Sequence, residues 1–210
     1  MVASADGRAT LGGRTEAISS DRDRELFHSL RGQVDAVMVG TGTIAIERYG
    51  PLARRPEVRQ RRAASGLPET PLCVTASRSM ELPVDTPLFE DPESHVILLT
   101  NSDREPPPCK CRLTVERLPG EDLDLVAAAV LLRERHGIRA MLLEGGPTLL
   151  ASMLNAGLVD ELFLSTSPLL VGGDEPSLLE GSALDQPLRL ALVSVLEEES
   201  FLYLRYRLAG

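Results

Sequence analysis

Leu142-Leu143-Glu144-Gly145-Gly146-Pro147-Thr148-Leu149-Leu150 joins an apolar run to a glycine pair and then to a helix-like stretch. The pattern reads as a buried parallel strand over 138–143, a tight turn, and a helix from 147. Glycines leave the backbone bare, so a ligand can approach it closely. Pro147 suits the first helical position, where its missing N–H costs nothing. The free N–H groups and positive dipole end of such a helix favour a phosphate or pyrophosphate. A nucleotide cofactor is the chemistry this segment points to, with Gly145, Gly146, Pro147, Thr148 and Leu149 around it. Glu144, a carboxylate at the end of a buried strand, can accept hydrogen bonds from the N–H groups of a heterocycle, or can act as a structural cap.

Two further segments have the same character. Gly40-Thr41-Gly42-Thr43-Ile44-Ala45 follows the apolar run 35–40 and matches the G-x-G-x-x-A string of dinucleotide sites. It departs from that fingerprint in two ways. Gly50 and Pro51 cut the next helix short, and where a ribose-binding acid belongs the chain reads Arg59-Gln60-Arg61-Arg62. We read Gly40, Thr41 and Thr43 as a cofactor-facing turn of a different α/β fold; a plain small-residue turn is the alternative. Thr75-Ala76-Ser77-Arg78-Ser79 closes another strand, and its hydroxyl and guanidinium groups can hold a phosphate. Ser77 and Arg78 suit a 2′-phosphate on the adenosine ribose, which favours NADPH over NADH. Arg31, Arg54 and Arg55 can bind an anionic substrate, whereas Arg59, Arg61 and Arg62 read as a solvated loop. His28, His95 and His136 show no pairing with Ser, Cys or Asp that would make a nucleophilic triad.

These groups need a scaffold. Ser20 caps a helix over 21–33 with Asp21 and Asp23 in its first turn. Strands follow at 35–40, 71–75, 95–100 and 112–117, with a long loop over 49–70. An amphipathic helix over 121–136 ends at Gly137. After the helix 147–156 come a strand over 161–165 and a second long loop over 167–187. Residues 188–196 and 201–208 alternate apolar and polar, as an antiparallel hairpin does. Helices between strands favour an α/β fold with a mainly parallel central sheet and an antiparallel C-terminal hairpin. We expect one domain over 1–210. The opening strand starts abruptly at Met1, which leads us to expect chain upstream of it.

A net charge of −9 argues against a nucleic-acid surface and an anionic membrane partner. No apolar run is long enough for a membrane span, and no signal peptide is visible. Three cysteines are too few for a disulfide framework; Cys73 reads as a core residue, and Cys109-Lys110-Cys111 has no second pair at zinc-like spacing. We therefore expect a cytoplasmic protein with no metal. The apolar hairpin edge needs cover, which points to a homodimer.

Ser4-Ala5-Asp6-Gly7, Ile18-Ser19-Ser20, Leu30-Arg31, Asp35-Ala36, Val39 to Thr43, Leu143 to Leu149 and Ala156 to Leu162 together resemble the reductase domain of riboflavin biosynthesis. The resemblance covers nearly the whole chain. It implies the dihydrofolate reductase-like fold, a three-layer α/β/α arrangement. It also implies NADPH-dependent reduction of 5-amino-6-(5-phosphoribosylamino)uracil at C1′ of its ring-opened ribosyl imine. By position it sets Thr15, Arg31, Leu52, Arg55 and Glu144 toward the substrate, with Arg31 and Arg55 on the phosphate and Glu144 on the pyrimidine. Val2, Ala17, Thr43, Glu47, Ser77 and residues 145–149 are set toward NADPH. No catalytic side chain is implied beyond positioning, for which Glu144 is the best candidate.

Three departures stand out. Ala17 replaces an aromatic residue, Glu47-Arg48-Tyr49-Gly50-Pro51 replaces an Asp-Asp-Pro segment, and Ala53 replaces a Thr. No H-x-E with P-C-x-x-C occurs, so no zinc deaminase is expected. A reductase of the same fold acting on another small molecule such as a pterin, and a nucleotide-binding module without catalysis, are the competing expectations.

Overall fold

The computed structural model describes residues 1–181 and 183–208. In chain order the elements are β1 (Val2–Ser4), α1 (Asp21–Arg31), β2 (Ala36–Met38), α2 (Thr41–Ile46), α3 (Pro56–Ala64), β3 (Leu72–Ala76), α4 (Pro87–Glu90), β4 (His95–Thr100), β5 (Arg112–Arg117), α5 (Leu125–His136), β6 (Met141–Leu143), α6 (Pro147–Asn155), β7 (Glu161–Ser167), β8 (Leu190–Glu198) and β9 (Phe201–Leu208). They form two compact units: Phe27–Gly146, and Met1–Leu26 with Pro147–Gly210.

The central unit holds a five-stranded sheet in the order β5-β4-β3-β2-β6. Every pair in it is parallel. β2 is buried throughout, as are the middle of β3 and nearly all of β4. Strands covered on both faces read as continuous apolar runs, as Ala36–Met38 and Val96–Leu99 do. The core packs Val37, Val39, Ile44, Leu88, Phe89 and Val96 together. Cys73 lies in this core as expected, and burial pushes its thiol above the ordinary range.

The second unit holds a four-stranded sheet in the order β1-β7-β9-β8. β1 pairs parallel with β7, and the hairpin β8–β9 adds antiparallel to it through β9. Asp6 explains its motif here: it accepts hydrogen bonds from the Ser4 hydroxyl and from the N–H groups of Val171 and Gly172. Those bonds, the Ser4 hydroxyl first, hold its carboxyl far below the usual range.

Two local expectations are corrected. The stretch 49–70 is not one loop, because Pro56–Ala64 is helical. Pro56 takes the first helical position, Glu57 the first turn, and Arg61 and Arg62 the last, an arrangement that suits the dipole. The arginines misled because their charge resembled that of a solvated loop. Arg62 is fully buried and donates to the carbonyls of Arg31, Val34 and Pro68, so it ties α3 to the end of α1. Arg59 donates to the Ala53 carbonyl. The second correction is the start of α5, which lies at Leu125 rather than 121. Asp124 is its cap, accepting from Val126 and Ala127 at 2.9 and 3.0 Å. The Ser20 cap holds, with Asp23 N–H donating to its hydroxyl at 3.1 Å.

Candidate active site

In the central sheet β6, β2 and β3 are neighbours running the same way, so their C-terminal ends lie side by side. Those ends carry the three segments singled out by sequence. Glu144, Gly145 and Gly146 follow β6, Gly40–Thr43 follows β2, and Ser77–Arg78 follows β3. Crevices outside the carboxyl ends of parallel strands are where open α/β sheets bind ligands.

Two of the turns touch. Gly40 N–H donates to the Gly145 carbonyl at 3.1 Å. A Cβ on Gly146 would stand 3.1 Å from the Thr43 hydroxyl, and Gly145 has φ +103, a conformation that side chains disfavour. Glycine is thus favoured at 145 by its backbone and at 146 by the close Thr43 hydroxyl. Gly40 caps α2, which Thr41 opens, and Glu47 ends it. On β3, Ser77 is buried with its hydroxyl on the Glu81 carbonyl at 3.3 Å. Arg78 is exposed and reaches Asp122 at 2.9 Å. An exposed pair of that kind is worth less than about 1 kcal/mol.

Glu144 is the electrostatic centre of this unit. Arg31 grips it with two bonds, Nε to Oε1 at 2.6 Å and Nη2 to Oε2 at 2.7 Å. The Tyr49 hydroxyl donates to Oε2 at 3.0 Å. The Glu144 side chain has no solvent exposure and that of Arg31 has 9%. Burial works against the Arg31 cation, but the Glu144 charge outweighs it and holds its pKa above the ordinary value. The guanidinium also lies 4.4 Å from the Phe27 ring centroid and 5.5 Å from that of Tyr49. Its Nη1 reaches the carbonyl of Leu52, whose side chain is buried.

Arg55 is the exposed N-cap of α3, with Arg54 beside it. The Arg54 guanidinium lies across Gly50, where an added Cβ would clash with it. Burial first, and then the charges of Arg31, Arg55 and Arg54, hold His28 below the ordinary imidazole value. Cation density is thus concentrated around the end of α1 in a chain of net charge −9.

The remaining predicted residues lie in the second unit. Thr15 stands at the N-cap position of a short 3-10 turn, Glu16–Ile18, and Ala17 within that turn is exposed. Val2 pairs with Ser165. Pro147, Thr148 and Leu149 open α6, whose first turn holds no acidic residue to compete for its N–H groups.

Sequence reasoning missed Tyr49 as a partner of Glu144 and Arg62 as a buried brace. Tyr49 lay in the stretch 47–51 that breaks the family pattern, and that was the one signal available for it.

Glycine turns and a buried carboxylate at neighbouring strand ends define an α/β protein with its candidate ligand site beyond the carboxyl ends of a parallel sheet. The sequence pattern of the RibD C-terminal domain matches residues 1–200, and the chain belongs to that family. A 2,5-diamino-6-ribosylamino-4(3H)-pyrimidinone 5′-phosphate reductase from Archaeoglobus fulgidus is 26% identical over 94% of this chain and 92% of its own length. The reductase of the same name from Methanothermobacter thermautotrophicus is 30% identical over 86% of this chain and 82% of its own. The crystal structure of a pyrimidine reductase-like protein from Corynebacterium diphtheriae superposes with a TM-score of 0.85 at 24% identity, covering 100% of this chain and 90% of that one. The fold is accordingly the dihydrofolate reductase-like α/β fold. Among the described residues, no helix is long and apolar enough to cross a membrane.

Proposed function

We propose that this chain reduces a phosphoribosylaminopyrimidine of riboflavin biosynthesis with NADPH. The reaction delivers hydride to C1′ of the ring-opened ribosyl imine and yields the ribitylamino product. The observation that carries the reading is the contact of the Gly40–Thr43 turn with Gly145 and Gly146, directly after the buried Glu144. The substrate is 5-amino-6-(5-phosphoribosylamino)uracil. The compound in the relatives' names differs at ring position 2, where it bears an amino group, and offers the same imine carbon.

The residues suit the cofactor. Bare backbone at Gly40, Gly145 and Gly146, together with Thr41 and Thr43, fits a pyrophosphate. Ser77 and Arg78 fit the 2′-phosphate that distinguishes NADPH from NADH. Val2, Ala17, Glu47, Pro147, Thr148 and Leu149 are assigned to the same ligand, and both units are read as one reductase domain over 1–210. When bound, NADPH supplies the hydride. The protein's part is placement, and orientation alone can remove about 7–11 kcal/mol of a barrier.

On the substrate side, Glu144 accepts from a ring N–H and Arg31 holds the carboxylate in place. Because Arg31 is engaged by Glu144, the substrate phosphate falls to Arg55 with Arg54 beside it, and the depressed His28 supports a cationic pocket there. Leu52 and Thr15 complete the assignment. We read the enzyme as cytoplasmic, in keeping with its three unpaired cysteines. We also read it as a homodimer formed through β8, which pairs with β9 alone among the described strands and exposes Leu192, Val195 and Leu196.

The test is loss of NADPH absorbance with each pyrimidine, and mass analysis of the product. Saturable NADPH binding with reduction of either compound is expected. Reduction of a pterin instead would transfer the assignment to another substrate, and binding without any turnover would leave a nucleotide-binding module.

A further inference from the structure

Glu144 is held unequally. Oε2 takes two donors, Arg31 Nη2 and the Tyr49 hydroxyl, whereas Oε1 takes one, Arg31 Nε. An ionised carboxylate offers about four lone-pair sites, so its unused capacity lies on Oε1. Tyr49 is itself firmly placed. Its N–H donates to the Ile44 carbonyl, its carbonyl accepts from Leu88, and its ring packs on the core beside Ile44 and Leu88. The residue sits in the stretch 47–51, which replaces an Asp-Asp-Pro segment of the family pattern.

We propose that Tyr49 is a positioning residue of the reduction, its hydroxyl fixing the Glu144 carboxylate so that Oε1 is the oxygen left with capacity for a ring N–H of the pyrimidine. The inference rests on the reading that Glu144 faces the substrate. Arg31 and Tyr49 cannot substitute for one another. The fork of Arg31 alone bonds both oxygens alike, and the single hydroxyl of Tyr49 breaks that symmetry. The titratable and charged groups that face the carboxylate are Arg31 from α1, Tyr49 after α2, and Cys73 from β3.

Tyr49→Phe keeps the ring and removes the hydroxyl. A hydrogen bond to a charged group is worth enough that KM for the pyrimidine rises about tenfold while kcat changes little. The NADPH dissociation constant stays unchanged. A packing role alone would lower thermal stability and leave KM unmoved. A fluorinated tyrosine at position 49, a stronger donor of similar shape, lowers KM and retains the packing. In a Glu144→Gln background the effect of Tyr49→Phe disappears, since Tyr49 acts through that carboxylate.

An unmoved KM in Tyr49→Phe, beside a wild type that turns over, overturns the role of Tyr49 and leaves the reductase reading intact. A wild type that reduces neither pyrimidine overturns that reading, and this proposal with it.

Discussion

Glu144→Gln removes one charge from the Arg31–Glu144 pair and almost no volume, so its cost measures the pair in isolation. The Glu144 side chain has no exposure and the Arg31 side chain 9%, so neither water nor counterions replace the lost carboxylate. Stranding one member of a buried pair costs about 3–5 kcal/mol. The surface pair Arg22–Glu25, with side chains 54% and 51% exposed, shows the contrast; removing a pair of that type costs about 0.2–1 kcal/mol. Against a net stability of about 5–15 kcal/mol, the buried loss is a large fraction. With a urea slope of about 2–3 kcal/mol/M, the midpoint falls by roughly 1–2.5 M. Urea titration followed by circular dichroism reads this directly. Arg31→Met added to Glu144→Gln removes the stranded cation and restores most of the loss, because a neutral pair of similar size is often as stable as the ion pair. Glu144→Gln within about 1 kcal/mol of the wild type, or a double variant no more stable than the single one, would refute the reasoning.

Gly145→Ala places a side chain at φ +103; the strain costs about 1–3 kcal/mol and distorts the carbonyl that receives Gly40 N–H, so calorimetry should find weaker NADPH binding, and an unchanged affinity would remove the turn from the cofactor site. Burial above all holds His28 and His95 below the ordinary imidazole value. The unfolded chain therefore binds more protons below about pH 6.5, and stability present at neutral pH is lost as pH falls from there toward the depressed folded values. His28→Asn and His95→Asn should flatten that fall in the thermal midpoint; a stability that climbs on acidification through this window would contradict it. Leu196→Glu puts a charge on the exposed β8 edge, and sedimentation velocity should show a dimer converted to monomer; an unaltered distribution argues against pairing through β8.

Most of the strands were legible because burial on both faces writes a continuous apolar run, as in Val96–Leu99. The turn after β6 was legible because few residue types tolerate the backbone of Gly145. Residues 56–64 were not, because a helix rich in arginine shows little apolar periodicity, and its one buried cation, Arg62, is held through Nε and Nη1 by carbonyls that sequence cannot place. Glu144 and Arg31 could each be picked out as chemically notable, yet nothing in their separation of 113 positions said that they bind one another.

The amino-acid order alone determined the α/β alternation, the turns after the strands and the identity of the groups available for chemistry, since each is a property of a few consecutive residues. The tertiary structure decided which of those groups are spent on each other. Parallel pairing of β6, β2 and β3 sets their ends side by side. It thereby commits Arg31 and Tyr49 to Glu144, and leaves Arg54 and Arg55 exposed. Hydrogen bonds and charge pairs act over a few ångströms of space, and distances on that scale between remote residues are settled only when the sheet has formed.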